Sequence, residues 1–225
     1  YESIDTVMKR GAKSLSPREF EVVANETDAL ILDVRSKEEF VKGFIPNSIF
    51  IGLDGSFAPW VGALIPDLMQ PIIIVAPKGK NKETVKRLAR VGYDNSVGYL
   101  KGGFEAWKKE EREIDTIETI DVKTFEKKYS KKINVLDVRK PTEYIGEQIE
   151  NAQNFPLDFI NDNMSEISKK KKYYMHCRSG YRSTVTASIL KSRGFDKIVN
   201  VQGKYDDISA SKVPTSDFVC PSTLK

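Results

Sequence analysis

The chain has 225 residues, of which 40% are hydrophobic and 30% charged, and its formal net charge at pH 7 is +4. This length accommodates two domains of ordinary size, each burying its own core. The mild positive charge favours small anionic ligands without indicating nucleic-acid binding, and no apolar run approaches the roughly 18 residues that a membrane-spanning helix needs. The lysines at 169–172 are interpreted as a solvated turn.

Two cysteines, Cys177 and Cys220, are too few for a disulfide framework and are typical of a protein from a reducing cytosol. We therefore predict a cytoplasmic protein. With one histidine and no paired cysteines, the sequence predicts neither a metal site nor a cofactor. The sequence opens at Tyr1 with no methionine and no signal peptide, so we expect a fragment of a longer protein.

Helix and strand patterns alternate through the first half of the chain. Ser16 with Glu19, and Ser36 with Glu39, form capping boxes that predict helix starts. The apolar run at 72–75 has no polar interruption, as expected of a strand in the middle of a parallel sheet. The predicted elements are, in chain order, a helix from Ser16, a strand at 29–35, a helix from Ser36, strands at 48–51 and 72–75, a helix at 82–91, a strand at 93–100 and a helix from Gly102.

The second half of the chain repeats the first. Asp33-Val34-Arg35 returns 104 positions later as Asp137-Val138-Arg139. Matches in order at one spacing indicate a tandem duplication, and the alternation of strands and helices predicts that each copy is an α/β domain with a parallel sheet. The same spacing relates Glu39 to Glu143, Phe40 to Tyr144, Ile45 to Ile149 and Asn47 to Asn151.

The boundary between the two copies is predicted in a charged stretch at 108–113, within a linker at about 110–120. This placement gives domains at 1–112 and 113–225. The segment at 209–225, which contains two prolines, is predicted to be a loosely held tail.

The stretch around Cys177 carries the strongest chemical signal. A buried strand is predicted to end just before it, and a helical pattern begins after Ser183, so the cysteine lies at a strand-to-helix turn. The N–H groups at such a turn form an anion-binding nest, and Arg178 and Arg182 add positive charge to it. This environment stabilises a thiolate. We therefore predict a nucleophilic cysteine with a pocket for a small anion; a buried structural cysteine is the alternative.

The first copy differs at this point, because Ala76 stands opposite Cys177 when the strands are aligned. No other nucleophile begins this loop, and Pro77 removes one N–H group from it. The first copy is therefore predicted to be inert as a thiol enzyme.

Four residues near the cysteine are predicted to support the site. Asp137, Arg139 and Glu143 either bind substrate or form an ion-paired turn, and we expect the structural role because their counterparts recur in the copy without the thiol. His176 either assists proton transfer or, as we expect, ends the strand and supports the loop.

Both halves resemble rhodanese domains, the sulfurtransferase fold. The resemblance covers roughly residues 14–110 and 118–208, and it implies a parallel five-stranded sheet flanked by helices in each domain. It rests on Asp33-Val34-Arg35 with Glu39, Asp137-Val138-Arg139 with Glu143, Leu100-Lys101-Gly102-Gly103-Phe104 with Trp107, and the loop Cys177-Arg178-Ser179-Gly180-Tyr181-Arg182-Ser183.

In this family, a cysteine takes a sulfane sulfur from a donor such as thiosulfate or a persulfide and passes it to a thiophilic acceptor. The resemblance implies that Cys177 is the nucleophile and that Arg178 and Arg182 meet the charge of the donor. The expected partners are small sulfur anions or persulfides and a thiol acceptor. The residues expected to cradle the persulfide are Arg178, Ser179, Gly180, Tyr181, Arg182 and Ser183. Tyr181 and Phe159 are expected at the mouth of the pocket, and a resolving role for Cys220 is disfavoured by its proline-flanked position.

The second copy departs from the family pattern at Gly203-Lys204-Tyr205 and at Ile208, where a double glycine and a tryptophan are usual. The order of an inert and an active copy resembles bacterial fusions with an N-terminal metallo-β-lactamase-fold domain, which are associated with persulfide oxidation. Trp60-Val61-Gly62 and Arg90-Val91-Gly92-Tyr93 carry this likeness. It implies that any iron or zinc belongs to that domain.

Two other functions are compatible with the loop. A cysteine-dependent phosphatase or arsenate reductase on a related fold is the rival enzyme, but such phosphatases place one residue more between cysteine and arginine than the four that separate Cys177 from Arg182. A non-catalytic docking module is the other alternative, and a structural or regulatory role of this kind is expected for the first copy.

Overall fold

The computed structural model describes residues 3–220, and the chain divides into two compact units. The first unit ends at Thr116 and the second begins at Ile117. Each unit contains a five-stranded parallel sheet flanked by helices, which confirms the predicted α/β architecture. None of the helices in the described part of the chain is long and apolar enough to cross a membrane.

The first unit begins with a helix and ends with a helix. Its elements are α1 (Ile4–Gly11), β1 (Ser14–Leu15), α2 (Pro17–Glu26), β2 (Leu30–Asp33), α3 (Lys37–Phe40), β3 (Ile49–Phe50), α4 (Phe57–Leu64), β4 (Ile72–Val75), α5 (Asn81–Ala89), β5 (Ser96–Leu100) and α6 (Gly103–Lys109).

The second unit repeats this order from the first strand onwards. Its elements are β6 (Glu118–Asp121), α7 (Val122–Lys128), β7 (Asn134–Asp137), α8 (Pro141–Gly146), β8 (Gln153–Asn154), a 3₁₀ turn (Leu157–Phe159), α9 (Ile160–Asn163), a 3₁₀ turn (Met164–Glu166), β9 (Tyr173–His176), α10 (Tyr181–Ser192), β10 (Ile198–Gln202) and α11 (Tyr205–Ser209).

The two sheets have the same strand order, β1-β5-β4-β2-β3 in the first unit and β6-β10-β9-β7-β8 in the second. The central strands, β4 and β9, are buried along their whole length. Burial on both faces explains why these strands contain no polar alternation. The prediction that residues 72–75 form a middle strand is confirmed. In the second unit, Cys177 directly follows the central strand.

The predicted capping boxes are present at the starts of α2 and α3. The Ser16 hydroxyl accepts a hydrogen bond from the Glu19 N–H, and the Glu19 carboxylate accepts one from the Ser16 N–H. Ser36 and Glu39 form the same reciprocal pair. Each box satisfies N–H groups that a helix start otherwise leaves without partners.

Two helices of the first unit were not predicted. Helix α1 begins after Ser3, whose hydroxyl accepts a hydrogen bond from the Thr6 N–H at 3.2 Å. Helix α4 contains Pro59 and Gly62, residues that weaken a helical pattern, but it buries Phe57 and Val61 against the unit. Tertiary packing therefore overrides a poor local propensity here.

The prediction of a loosely held tail from residue 209 is wrong for the residues that the structure describes. Residues 213–219, here called the strap, lie antiparallel to residues 146–150. The Glu150 N–H donates to Pro214 O at 2.9 Å, the Ser216 N–H to Gln148 O at 2.9 Å, and the Val219 N–H to Gly146 O at 2.7 Å. The strap supplies partners to backbone groups that neither the sheet nor a helix satisfies. Residues 221–225 lie outside the described part of the chain.

The first unit has a matching contact. Phe44 and Asp115 exchange two backbone hydrogen bonds, at 3.1 and 2.9 Å, as an isolated antiparallel bridge. In both units, the last segment pairs with the turn at the end of one helix, α3 in the first unit and α8 in the second. This pairing explains why the polar strap is ordered although it has no periodic pattern.

We predict that Val213→Ala destabilises the second unit, because Val213 is only 3% exposed at the start of the strap. Removing its buried methyl groups should lower the free energy of unfolding by about 1–3 kcal/mol. Val219→Ala, in the exposed part of the strap, is the matched control and should change it by at most about 0.5 kcal/mol. Urea unfolding followed by circular dichroism measures both variants. Equal effects of the two variants would contradict this description of the strap.

Candidate active site

Cys177 lies at the carboxyl end of the central strand β9 and is 1% exposed. The loop after it turns sharply into α10, and Gly180, at the N-cap of that helix, has a φ of +83°. This left-handed conformation favours glycine, which lacks a Cβ atom. The turn therefore requires Gly180, and it brings the start of a twelve-residue helix next to the sulfur.

The loop makes polar contacts with the sulfur of Cys177. The Gly180 N–H donates to Sγ at 3.1 Å, and the thiol lies 3.7 Å from the Ser183 hydroxyl. Ser183 is fully buried and donates its own proton to Gly180 O at 3.2 Å. Cys177 is thus buried, but in a polar loop at the positive end of a helix, where negative charge is stabilised.

The two arginines of the loop have different environments. Arg182 is mostly buried and donates two hydrogen bonds to the Glu143 carboxylate, at 2.6 and 2.9 Å. Burial opposes its charge, but the hydrogen bonds and charge of Glu143, with a smaller contribution from Cys177, raise the pKa of Arg182 above its ordinary value. Arg178 is 62% exposed, and its guanidinium lies 3.9 Å from the Asp206 carboxylate.

Asp137 and Arg139 form a buried ion pair below the loop, with Nη2 and Oδ2 2.6 Å apart. Arg139 also donates to Glu147 O at 2.6 Å and lies over the ring of Tyr205, 3.6 Å from its centroid. These contacts hold the chain at the end of β7, and the predicted supporting role of the pair stays a prediction.

The first unit contains the same arrangement without the thiol. Asp33 and Arg35 pair at 2.6 Å, Arg35 donates to Gly43 O at 2.9 Å, and its guanidinium lies 4.1 Å from the ring centroid of Phe104. The buried pair therefore occurs in both units, whether or not a cysteine begins the loop.

Glu143 has a different partner from its counterpart Glu39. Glu39 accepts a hydrogen bond from the Ser36 hydroxyl at 2.7 Å. Lys140 occupies the position of Ser36 in the second unit and has no hydroxyl, so Glu143 caps α8 only through the Lys140 N–H at 3.2 Å and directs its carboxylate to Arg182. The loop of Cys177 is thereby tied to α8.

His176 lies at the end of β9 and is fully buried. Its ring stacks on Tyr205, with centroids 5.6 Å apart, and its Nε2 lies 3.8 Å from Asp137 Oδ2. Neither ring nitrogen has a hydrogen-bond partner among the described residues. Burial lowers the pKa of His176, and the smaller attraction of Asp137 does not reverse this shift. His176 is therefore neutral and packs beneath the loop.

The remaining predicted residues surround the loop at different depths. Ser179 is exposed, Tyr181 is half-buried, and Phe159, in the 3₁₀ turn after β8, is 49% exposed. Cys220, the residue after the strap, is exposed and is not joined to Cys177 by a disulfide. Within residues 3–220, no three histidine, cysteine or acidic side chains are grouped so that they could hold a metal ion.

The loop of the first unit keeps the turn but lacks the sulfur. Gly79 has a φ of +80°, close to that of Gly180, and Ala76 is buried where the second unit has Cys177. The left-handed glycine is therefore common to both units, although α5 is capped by the next residue, Lys80, and α10 by Gly180 itself. The cysteine is present in the second unit alone.

Three residues at the site were not predicted from the sequence. Tyr205 covers Arg139, and Thr184 and Asn200 form buried hydrogen bonds behind the loop. Tyr205 was recognisable as the counterpart of Phe104 once the repeat was aligned. Thr184 and Asn200 carry no local signal, because their contact depends on the packing of α10 against β10.

The family model of the rhodanese-like domain matches the chain twice, over residues 16–110 and 121–211. These two matches together cover well over half of the sequence. The chain therefore belongs to the rhodanese family and contains two rhodanese-like domains.

Individual relatives match shorter parts of the chain. The putative sulfur carrier protein YrkF of Bacillus subtilis is 32% identical over 88 residues, 38% of this chain and 48% of that protein. A sulfurtransferase of Allochromatium vinosum is 33% identical over 69 residues, 31% of this chain and 64% of that protein. A rhodanese-like domain protein of Staphylococcus aureus, known from its crystal structure, is 32% identical with a TM-score of 0.38, over 41% of this chain and 91% of that one. The chain thus matches about half to two thirds of the length of these two curated relatives.

We predict that His176→Phe removes the acid sensitivity of the second unit. Because burial lowers the pKa of His176, the unfolded chain, in which histidine titrates near 6.5, binds more protons than the folded unit. Stability therefore rises with pH in the window below about 6.5 and is lost as the pH falls through it. Asp137, Arg139 and Tyr205, which surround the ring, remain unchanged in the variant.

Urea unfolding between about pH 5 and 7, followed by circular dichroism, tests this prediction. His176 is the one histidine of the chain, and both tryptophans are in the first unit, so tryptophan fluorescence follows a unit without histidine as an internal control. A wild-type stability that does not change across this window would refute the neutral, buried state of His176.

Proposed function

We propose that the protein is a sulfurtransferase that moves a sulfane sulfur from thiosulfate or a low-molecular-weight persulfide to a thiophilic acceptor through a persulfide on Cys177. The observation that supports this most directly is the Gly180 N–H at 3.1 Å from Sγ. A backbone donor in this place stabilises the negative sulfur that such a reaction needs at each stage. Membership of the rhodanese family and relatives named sulfurtransferase and sulfur carrier agree with the proposal.

The reaction has two displacement steps. In the first, the thiolate of Cys177 attacks the outer sulfur of the donor, and the donor's S–S bond breaks, so sulfite or a thiolate leaves with the electron pair. In the second, the acceptor thiolate attacks the outer sulfur of the Cys177 persulfide, and Sγ leaves as a thiolate. No net oxidant is needed, because each S–S bond that forms replaces one that breaks.

The two arginines are assigned different parts in this reaction. Arg178 is exposed beside the loop and is the side chain that meets an incoming anion, in exchange for its long contact with Asp206. Arg182 is held by Glu143, close enough to Cys177 for its positive charge to act on the sulfur. Ser179, Gly180, Tyr181 and Ser183 complete the loop that holds the persulfide.

The first unit is assigned a structural or regulatory role. Ala76 offers no nucleophile where the second unit has Cys177, although the turn at Gly79 is retained. The cytoplasmic location, the absence of a cofactor from this part of the protein and the N-terminal metallo-β-lactamase-fold domain remain predictions. Reading the coding sequence upstream of Tyr1 tests the last of these.

Phosphatase activity is the rival function, and the position of Arg182 disfavours it. A phosphatase needs its loop arginine for the phosphate oxygens, whereas both terminal nitrogens of Arg182 are bound to Glu143. Thiosulfate:cyanide sulfur transfer and p-nitrophenyl phosphate hydrolysis, measured on the same preparation, distinguish the two activities.

We predict that incubation with thiosulfate or glutathione persulfide adds the mass of one sulfur atom to the peptide that contains Cys177. Mass spectrometry of the intact chain and of its peptides measures this gain, and cyanide should remove it. Cys177→Ser abolishes the gain, while Cys220→Ser keeps it. Sulfur found on the Cys220 peptide alone, or hydrolysis of the phosphate ester without sulfur transfer, would refute the proposal.

We predict that Glu143→Gln lowers kcat/KM for thiosulfate:cyanide sulfur transfer by about 5–30-fold, equivalent to about 1–2 kcal/mol. The neutral amide cannot keep two charged hydrogen bonds to Arg182, so the guanidinium loses its fixed position near Cys177. Glu39→Gln, the matched change in the first unit, should leave kcat/KM within about twofold. A similar loss in both variants would show that the effect is not specific to the loop.

A further inference from the structure

Gly180 is held on both sides of its Cα atom. Its N–H donates to Cys177 Sγ, and its carbonyl oxygen accepts hydrogen bonds from the Thr184 hydroxyl at 2.7 Å, the Thr184 N–H at 3.2 Å and the Ser183 hydroxyl at 3.2 Å. The first of these is the shortest. Because both backbone dihedrals of Gly180 are constrained in this way, the direction of its N–H is set by contacts beyond the loop.

The Thr184 hydroxyl is itself oriented by the sheet. Asn200, on β10, donates from Nδ2 to Thr184 Oγ1 at 3.1 Å. A hydroxyl has one proton, so Thr184 accepts from Asn200 and gives that proton to Gly180 O. The hydrogen bonds therefore run in one direction, from Asn200 through Thr184 to Gly180. Thr184 and Asn200 are both fully buried.

Stability alone explains Asn200 poorly. Its Oδ1 is buried and has no hydrogen-bond partner among the described residues. A buried amide with half of its hydrogen-bonding capacity unmet costs free energy, and an apolar side chain of similar size would avoid this cost. The gain from Asn200 is instead the orientation of the Thr184 hydroxyl.

The first unit, which has no thiol, lacks this arrangement. In the first unit, Tyr99 of β5 pairs with Ile74, the third residue of the central strand β4. In the second unit, Asn200 of β10 pairs with Met175, the third residue of the central strand β9. Thr84 of α5 donates to the N-cap carbonyl, as Thr184 does in α10, but that N-cap is Lys80 and not the left-handed Gly79. The chain of hydrogen bonds onto the glycine is therefore found in the unit that has the sulfur.

We propose that Thr184 and Asn200 are positioning residues for sulfur transfer, which hold Gly180 so that its N–H points at Cys177 Sγ. This inference rests on the proposed function. Neither side chain contacts the sulfur. Because of them, the Gly180 N–H stays in place while negative charge leaves Sγ and returns to it. The loop therefore needs no reorganisation during the two steps.

The test uses Thr184→Val, which removes the hydroxyl and keeps the shape, and Asn200→Asp, whose carboxylate accepts from Thr184 and draws its proton away from Gly180 O. Thr184→Ser restores the hydroxyl. Ser188→Ala is the matched control, because this buried hydroxyl on the same helix donates its proton to Val185 O. All variants are made in the full chain with Cys220→Ser, so that one thiol remains.

We expect Thr184→Val and Asn200→Asp to lower kcat for thiosulfate:cyanide transfer about tenfold, with KM within about twofold, as the loss of one hydrogen bond to a charged group would give. The rate of single-turnover sulfur loading, measured by mass spectrometry, should fall equally. Thr184→Ser and Ser188→Ala should remain close to wild type. Circular dichroism confirms that each variant is folded.

Alkylation of Cys177 by iodoacetamide tests the inference apart from sulfur transfer. In Thr184→Val, the rate of Cys177 alkylation at one fixed pH should fall about three- to tenfold, and in Ser188→Ala it should not change. Wild-type protein that is never loaded with sulfur overturns the proposed function. Thr184→Val that loads and alkylates like wild type, or that changes only as much as Ser188→Ala, overturns the positioning role.

Discussion

The left-handed turn at Gly180 is the constraint on which the rest of the site depends. It allows the chain to leave the central strand and enter α10 within a few residues, and it directs the Gly180 N–H at the sulfur of Cys177. A side chain with a Cβ atom disfavours this conformation, so the same residue sets the path of the backbone and the electrostatics of the thiol. The polar contacts of Ser183 and Thr184 then keep the turn in one conformation.

Comparison of the two units shows which features they share and which are specific to the unit with the thiol. The buried pair of Asp33 with Arg35 has nearly the same geometry as that of Asp137 with Arg139, although only the second unit has the thiol. Removing one member of such a pair leaves a charge buried without a partner, which explains its presence in both units. The units differ instead in the residue at the head of the loop, Ala76 or Cys177.

Features that depend on neighbouring residues were predictable, and those that depend on distant ones were not. The capping box of Ser36 joins residues three positions apart, and the pair of Asp137 and Arg139 joins residues two apart, so local pattern is sufficient. Glu143 and Arg182 are 39 positions apart, and the contact exists because α8 and α10 begin at the same edge of one sheet, after the parallel strands β7 and β9. The strap was mistaken for a tail for the same reason: its partners lie far away in the sequence.

The burial of Cys177 limits which molecules can reach its sulfur. With 1% of the residue exposed, the sulfur is shielded from bulky oxidants and electrophiles in solution. In the proposed reaction, the added sulfur atom lies about 2 Å beyond Sγ, so an acceptor reaches this outer atom before it reaches the cysteine. On that proposal, the depth of the residue admits narrow donors and exposes the transferred sulfur rather than Sγ.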